Sequence, residues 1–396
     1  MARTSFEIIG KLSLGKETEK FKPWEEKTYD SGWKQRTLKA NAHANGNNIL
    51  ITLRAGIMGD NGKIYLYDTD KKEKFQIPYK DRTKKEVFDR LKGWQYFTLD
   101  CYEGNRYLLE LAYKNKKAGK AYDKTLETLG IKEEELEAEY EKAQKMVKHF
   151  LSGYDFAEAV HKIATSEKFK NKKWKIRGDV NFSKSNNTDS ERWFVTYSPN
   201  KIYIVADDEE EKATSTATFF FGRDAVTDMI KDKGEFIVDG KVSYYDDQTK
   251  SEQFADYQIV VKSDTSEKAE KINKIRMKRF TVNDDSVKEV GVVVNLMRGA
   301  ETVEIREEDL NEEQQEALIC GDITLEDIRK EMGHVKGDFR EANVFCKWAQ
   351  GYSSGAKDTG YTLDDLIYTY KDEEPVADTV DYDEVEDDED DIFGDI

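Results

Sequence analysis

From Phe6 to Leu14, apolar or small residues (Phe6, Ile8, Gly10, Leu12, Leu14) alternate with Glu7, Lys11 and Ser13. A period of two predicts a half-buried strand. The same alternation recurs at 37–44, 48–54 and 63–67, and a helical stretch is expected at 84–91. Strands at 96–101 and 107–113 follow, punctuated by Gly46, Gly62, Gly93 and Gly104. Several strands, one short helix and then further strands suit a small closed barrel of the OB type. The first such domain is expected at residues 1–120.

The period then changes. Leu136, Tyr140, Ala143, Val147 and Phe150 recur at spacings of three and four among Glu and Lys. This predicts an amphipathic helix within a helical connector, 121–168, with a second helix at 156–163. Alternation returns from Trp174 to Phe182 and continues through 192–197, 201–205, 214–221, 235–245 and 254–261. A helix at 224–231 is expected between these strands, so a second OB-like domain is placed at 169–265. Residues 266–370 read as a strand-plus-helix region, with a strand at 290–296 and helices at 311–318, 324–332 and 338–350. The last two open on capping-box spacings, Thr324 to Asp327 and Asp338 to Glu341. The expected fold is mainly β with helical insertions, an α+β chain. It consists of tandem OB-like five-stranded barrels, a helical connector, a C-terminal helical region and a disordered acidic tail at 371–396.

Charge sharpens this picture. The chain of 396 residues carries 63 basic and 81 acidic side chains, a formal charge of −18. Fourteen of the acidic residues, and no basic one, lie in 372–396, so without that segment 63 face 67. A like-charged segment with few apolar groups cannot offset its ordering entropy and is expected to be disordered and open to partners. Residues 1–125 hold 26 basic against 17 acidic residues, a balance that suits a polyanionic ligand. No run of about 18 apolar residues and no signal peptide is found, so a cytoplasmic protein without a membrane is expected (host cytoplasm if phage-encoded). Three dispersed cysteines outside any CxxC spacing read as free thiols.

Alternate residues of a strand face opposite sides, so an aromatic on the polar side asks for an explanation. Trp33 shares parity with Lys39, and Tyr65 and Tyr67 share it with Lys63. Phe220 stands with threonines, and Tyr245 stands with Lys241. Rings beside cations suit single-stranded nucleic acid, whose bases stack at roughly 1–3 kcal/mol each while Lys and Arg follow the phosphates. Lys34, Arg36, Lys39, Lys175, Arg177 and Arg223 are the phosphate candidates. Each ring can equally pack beneath a loop or a neighbouring element. No P-loop, GxSxG, HExxH, EF-hand or dinucleotide fingerprint is present, and four scattered histidines show no ligand spacing, so no catalytic residue, metal or cofactor is expected.

The chain finishes on Asp390, Asp391, Ile392, Phe393, Gly394, Asp395 and Ile396. This acidic segment with an apolar tip resembles the tail of the single-stranded DNA-binding proteins of bacteria and their phages. The resemblance implies an OB barrel holding the strand and a tail tip, Asp390, Asp391, Ile392 and Phe393, that recruits replication or recombination partners. The usual proline before a terminal phenylalanine is absent and three residues follow Phe393, which favours a phage-type protein with partners of its own. Two other classes stay open: an acidic interaction or DNA-mimic inhibitor, and a metal-dependent nuclease or annealing enzyme.

Overall fold

The computed structural model describes residues 4–367 apart from 60–61, 69–72, 91–96, 185–192, 228–233, 247–248, 264–267, 304–309, 322, 325–334 and 353–354. The acidic tail lies outside these residues. The described chain is mostly β with helical insertions. Its first half runs β1 (Ser5–Ser13), β2 (Trp24–Thr28), β3 (Trp33–Ala44), β4 (Asn47–Met58) and a hairpin of β5 (Lys63–Asp68) and β6 (Glu73–Pro78). Then come α1 (Lys85–Arg90), β7 (Phe97–Asp100), α2 (Arg106–Lys117), α3 (Asp123–Leu129), α4 (Leu136–Met146), β8 (Val147–Phe150), α5 (Gly153–Ala164), β9 (Lys173–Lys184) and β10 (Trp193–Ile204). The second half runs β11 (Lys212–Phe221), β12 (Glu235–Asp246), β13 (Ser251–Lys262), α6 (Ala269–Phe280), β14 (Ser286–Val303), α7 (Glu312–Cys320), β15 (Val335–Trp348) and β16 (Lys357–Thr362).

Ladder by ladder, the strands close two rings. In the first, β1 pairs with β3, β3 with β4, β4 in parallel with β10, β10 with β9, and β9 again with β1. In the second, β11 pairs with β12, β12 with β13, β13 in parallel with β15, β15 with β14, and β14 with β11. A helix, α5 or α6, falls between the third and fourth strand of each ring. The patterning placed β9 and β10 in a second unit, yet their ladders run to β1 and β4. Alternation reports which side of a strand is buried and carries no information about which strand it pairs with.

One strand per ring joins the two. Over Ser5 to Ile9, β1 pairs antiparallel with Lys212 to Thr216 of β11, and only from Lys11 onward does its edge pass to β3. Gly10 sits at that handover, where a Cβ would fall 2.0 Å from the His43 carbonyl oxygen. The hydrophobic core is continuous across both rings, from Ile8, Ile51, Phe156 and Trp174 to Phe219, Phe236 and Val292. Arg298 of β14 clasps the rings together. It donates to the Tyr197 hydroxyl at 3.0 Å and to the Ala342 carbonyl at 2.9 Å, and its amide donates to Asn47 Oδ1 at 2.9 Å.

Helix α5 buries Tyr154, Phe156, Ala157, Val160 and Ile163, and the Ser152 hydroxyl accepts from the Tyr154 amide at its start. Helices α2 to α4 form a separate insertion between β7 and β8, with a small core of Leu109, Ala112, Leu126, Leu136 and Ala143. The structure corrects several expected assignments: α4 ends at Met146, and Val147 and Phe150, read as part of its stripe, belong to strand β8, paired with β7. Residues 107–113 belong to α2, where the Asn105 side chain caps the Leu108 amide and Leu109 and Ala112 share the buried face. Residues 338–348 are strand β15, paired with β14 along its length, so tertiary pairing overrides the capping-box pattern there. At the expected helix 224–231, Val226 instead makes a β-bridge to Val238, and 228–233 lie outside the described residues. The expected helix 324–332 falls mostly outside them too.

Candidate nucleic-acid interface

Strands β3 and β4 lie antiparallel in full register, and alternation divides them cleanly. Leu38, Ala40, Ala42 and Ala44 of β3, with Ile49, Ile51, Leu53 and Ile57 of β4, fill the core. The outward pairs are Trp33 with Met58, Gln35 with Gly56, Thr37 with Arg54, Lys39 with Thr52, Asn41 with Leu50, and His43 with Asn48. At about 3.3 Å per residue, this strip is roughly 33 Å long from Trp33 to His43.

Several of its groups suit a flat, charged ligand. Gly56 makes room for the Trp33 ring, since a Cβ there would come within 2.3 Å of it. Phe21, in the loop between β1 and β2, lies beside the strip with the Lys39 ammonium 5.7 Å from its ring centre. Leu50 and Met58 are 42% and 51% exposed, a large apolar offering for an outer sheet face. Lys11, Lys39 and Arg54 make no ion pair with any described residue, and Glu25 beside them is paired with Lys27 at 3.4 Å. The strip is therefore cationic.

His43 sits at one end of the strip, its Nε2 2.8 Å from the Ser13 hydroxyl. Burial lowers its pKa from the ordinary imidazole range, partly opposed by Glu211, and burial acts likewise on His149 and His161. A depressed folded-state pKa means that the unfolded chain binds protons first. The stability these groups contribute is complete above the unfolded value of about 6.5 and is lost as pH falls through the folded values. Thermal midpoints are expected to fall between pH 7.5 and 5, and to fall less in a His161→Gln variant. An unchanged slope in that variant would contradict the assignment.

Trp33 and Lys39 stand on the strip, as their parity implied. Lys34 and Arg36 alternate onto the opposite side. Arg36 lies 3.9 Å over the Tyr154 ring, pairs with Glu26 and Glu158, and donates to the Tyr154 carbonyl, so it fastens α5 to the sheet. Lys63 and Tyr65 are exposed on the β5–β6 hairpin, Tyr65 by 70%, whereas the Tyr67 side chain lies outside the described residues. Lys175 is held 3.6 Å from Glu209. Arg177 pairs with Glu7, which also binds Lys212 at 2.6 Å. Burial would raise the Glu7 pKa, but these two cations hold it below the usual carboxylate range.

The remaining candidates belong to the second ring and its surroundings. Arg223 pairs with Asp285 at 3.2 Å, and Lys241 with Asp256 at 2.6 Å. Tyr245 is exposed. Phe220 corrects the expectation: its face was read properly, but Phe254, Tyr361 and Leu366 cover it, leaving 6% accessible. Asp390, Asp391, Ile392 and Phe393 lie outside the described residues. In the acidic stretch 207–211, Lys173 donates to the Asp207 and Glu209 carbonyls and Asn45 bonds to Glu211. No group of three or more His, Cys, Asp or Glu among the described residues could hold a metal. No described helix is long and apolar enough to cross a membrane.

Sequence reasoning missed Lys11, Phe21, Leu50, Arg54 and Met58. Arg54 was legible, because it extends the alternation of Ile49, Ile51 and Leu53. Phe21, in an aperiodic loop, left no such signal.

No protein-family model and no curated protein matches the chain. Among solved structures, wild-type single-stranded DNA binding protein from Thermus aquaticus matches with a TM-score of 0.29 and 9% identity, covering 75% of this chain and 87% of that one. A deletion mutant of the same Thermus aquaticus protein matches with a TM-score of 0.28 and 10% identity, over 75% and 89% of the two chains. The strand ladders and side chains, rather than this slight likeness, carry the reading that follows.

Proposed function

We propose that this protein binds single-stranded DNA without performing chemistry on it, and that the β3–β4 strip is where the strand lies. In this reading the chain folds as tandem OB-type barrels, about 5–204 and 212–348, each interrupted or followed by helical and loop segments. The ring order supports it. Three antiparallel strands, a helix and two further strands, closed by a parallel pair between the third and fifth, is the OB arrangement, in which the second and third strands and the adjoining loop form the ligand face. Strands β3 and β4 occupy those two places in the first ring, and Phe21 lies in that loop.

The observation that carries the proposal is the strip itself. It combines outward cations that have no carboxylate partner among the described residues with Trp33, Phe21, Leu50 and Met58, the groups on which bases stack while phosphates are followed. We further propose a role in phage-type replication or recombination, coating and protecting the strand, with the tail 371–396 recruiting partners through Asp390, Asp391, Ile392 and Phe393. The tail's acidity and apolar tip support this part.

Titration with oligo-dT, followed by tryptophan fluorescence, is expected to show quenching and an affinity that falls with salt. The slope should be about 0.7 per phosphate bound. Absence of both effects would overturn the proposal. Magnesium with labelled strands is expected to produce no cleavage, and cleavage would favour an enzyme instead.

A further inference from the structure

The second ring has a face equivalent to the strip, formed by β12 and β13, and it differs in charge and in cover. Its outward pairs include Asp239 with Gln258, Lys241 with Asp256, Ser243 with Phe254, and Tyr245 with Glu252. Asp239, Glu252 and Asp256 are exposed, against Lys262 at the far end of the ladder and a single lysine, Lys241, among them. That lysine is engaged, because Lys241 Nζ lies 2.6 Å from Asp256 Oδ1. Asp256 also accepts a hydrogen bond from the Trp193 indole at 3.0 Å, which ties this face to β10 of the first ring. Farther along, Phe254 is covered by Tyr361, whose ring centre is 5.6 Å away, and by Leu366, so that it is 6% exposed.

We infer that a single DNA strand is held by the first ring alone, and that the second ring is a rigid support whose equivalent face is closed to nucleic acid. The inference rests on the proposed binding of single-stranded DNA and says which of two similar rings performs it. A polyanion approaching the middle of β12–β13 meets three carboxylates and the neutralised Lys241, with Lys262 only at the far end, and like charges set against a ligand repel it. The exposed ring of these two strands, Tyr245, stands opposite Glu252. Over the corresponding strands the first ring offers cations with no described carboxylate partner and uncovered apolar side chains. The β1–β11 ladder, the continuous core and the Arg298 clasp hold the second ring in place, a structural duty that needs no ligand.

The test uses the full chain and fluorescence anisotropy with labelled oligo-dT at several salt concentrations. A variant carrying Lys241→Gln and Tyr245→Ala is expected to bind within about twofold of the unaltered protein, with the same salt slope. A variant carrying Lys39→Gln and Arg54→Gln is expected to bind at least about tenfold more weakly, with a slope reduced by more than about one. Circular dichroism of both variants guards against misfolding, and Tyr245→Ala alone, which removes an exposed ring, provides a second probe of the same face. Equal weakening by the two double variants, or loss of affinity with Tyr245→Ala, would overturn the inference while leaving DNA binding intact. Failure of the unaltered protein to bind any oligo-dT would overturn the functional proposal itself.

Discussion

Replacing Gly10 by valine is expected to destabilise the protein by about 3 kcal/mol or more, the upper end of what overpacking costs. Gly10 lies where the edge of β1 passes from β11 to β3, and its missing Cβ admits the backbone of the next strand. The atom would stand 2.0 Å from the His43 carbonyl oxygen and 3.0 Å from Ala44 Cβ. Backbone cannot swing aside as the end of a long side chain can, so the strands must part. The first ring and the seam between the rings then loosen together. Gly178, across the β9–β10 ladder, meets the Ser198 carbonyl at the same 2.0 Å and should behave alike. Ser183→Val, at an exposed position on β9, serves as the control and should stay within about 0.5 kcal/mol. Chemical denaturation checks all three, and a wild-type midpoint for Gly10→Val would show that β1 does not hand over at this residue.

Reversing both central cations, Lys39→Glu with Arg54→Glu, is expected to have the largest effect on DNA binding. Two cations that neutralise phosphates disappear and two like charges take their place, so affinity at low salt should fall by at least about a hundredfold. The dependence of log affinity on log salt should become shallower by about 1.4, at about 0.7 for each phosphate no longer neutralised. Both side chains point outward and Arg54 is exposed, so the fold should tolerate the change. The weakening should be uniform across base sequences, because phosphate contacts carry no sequence information. Wild-type affinity and slope in this variant would place the DNA elsewhere.

Only part of this candidate strip was legible in the sequence. The alternation Leu38, Ala40, Ala42 fixes the inner side of β3, and therefore puts Trp33 and Lys39 on the outer side. The same rule carried Lys34 and Arg36 inward, where Arg36 stacks on Tyr154, but their charge suggested phosphate binding instead. Parity also set Phe220 on the outer side of β11 correctly. It could not reveal that Tyr361 and Leu366, some 140 residues later, lie over it. Residues 338–348 show a deeper limit. Asp338 and Glu341 satisfy a local helix-start pattern, whereas the strand forms because Val344 and its neighbours complete a ring whose other members are distant in sequence. The grouping of strands was hidden for the same reason: β9 and β10 follow a helical insertion of some fifty residues, yet complete the ring that β1 begins.

The most direct test of the central claim is ultraviolet crosslinking of the full chain to oligo-dT, with the joined peptides identified by mass spectrometry. We expect adducts at Trp33 and Phe21, on the β3–β4 strip and its adjoining loop, and their loss at high salt. Adducts confined to Tyr245 and β12–β13, with none on the strip, would contradict the account.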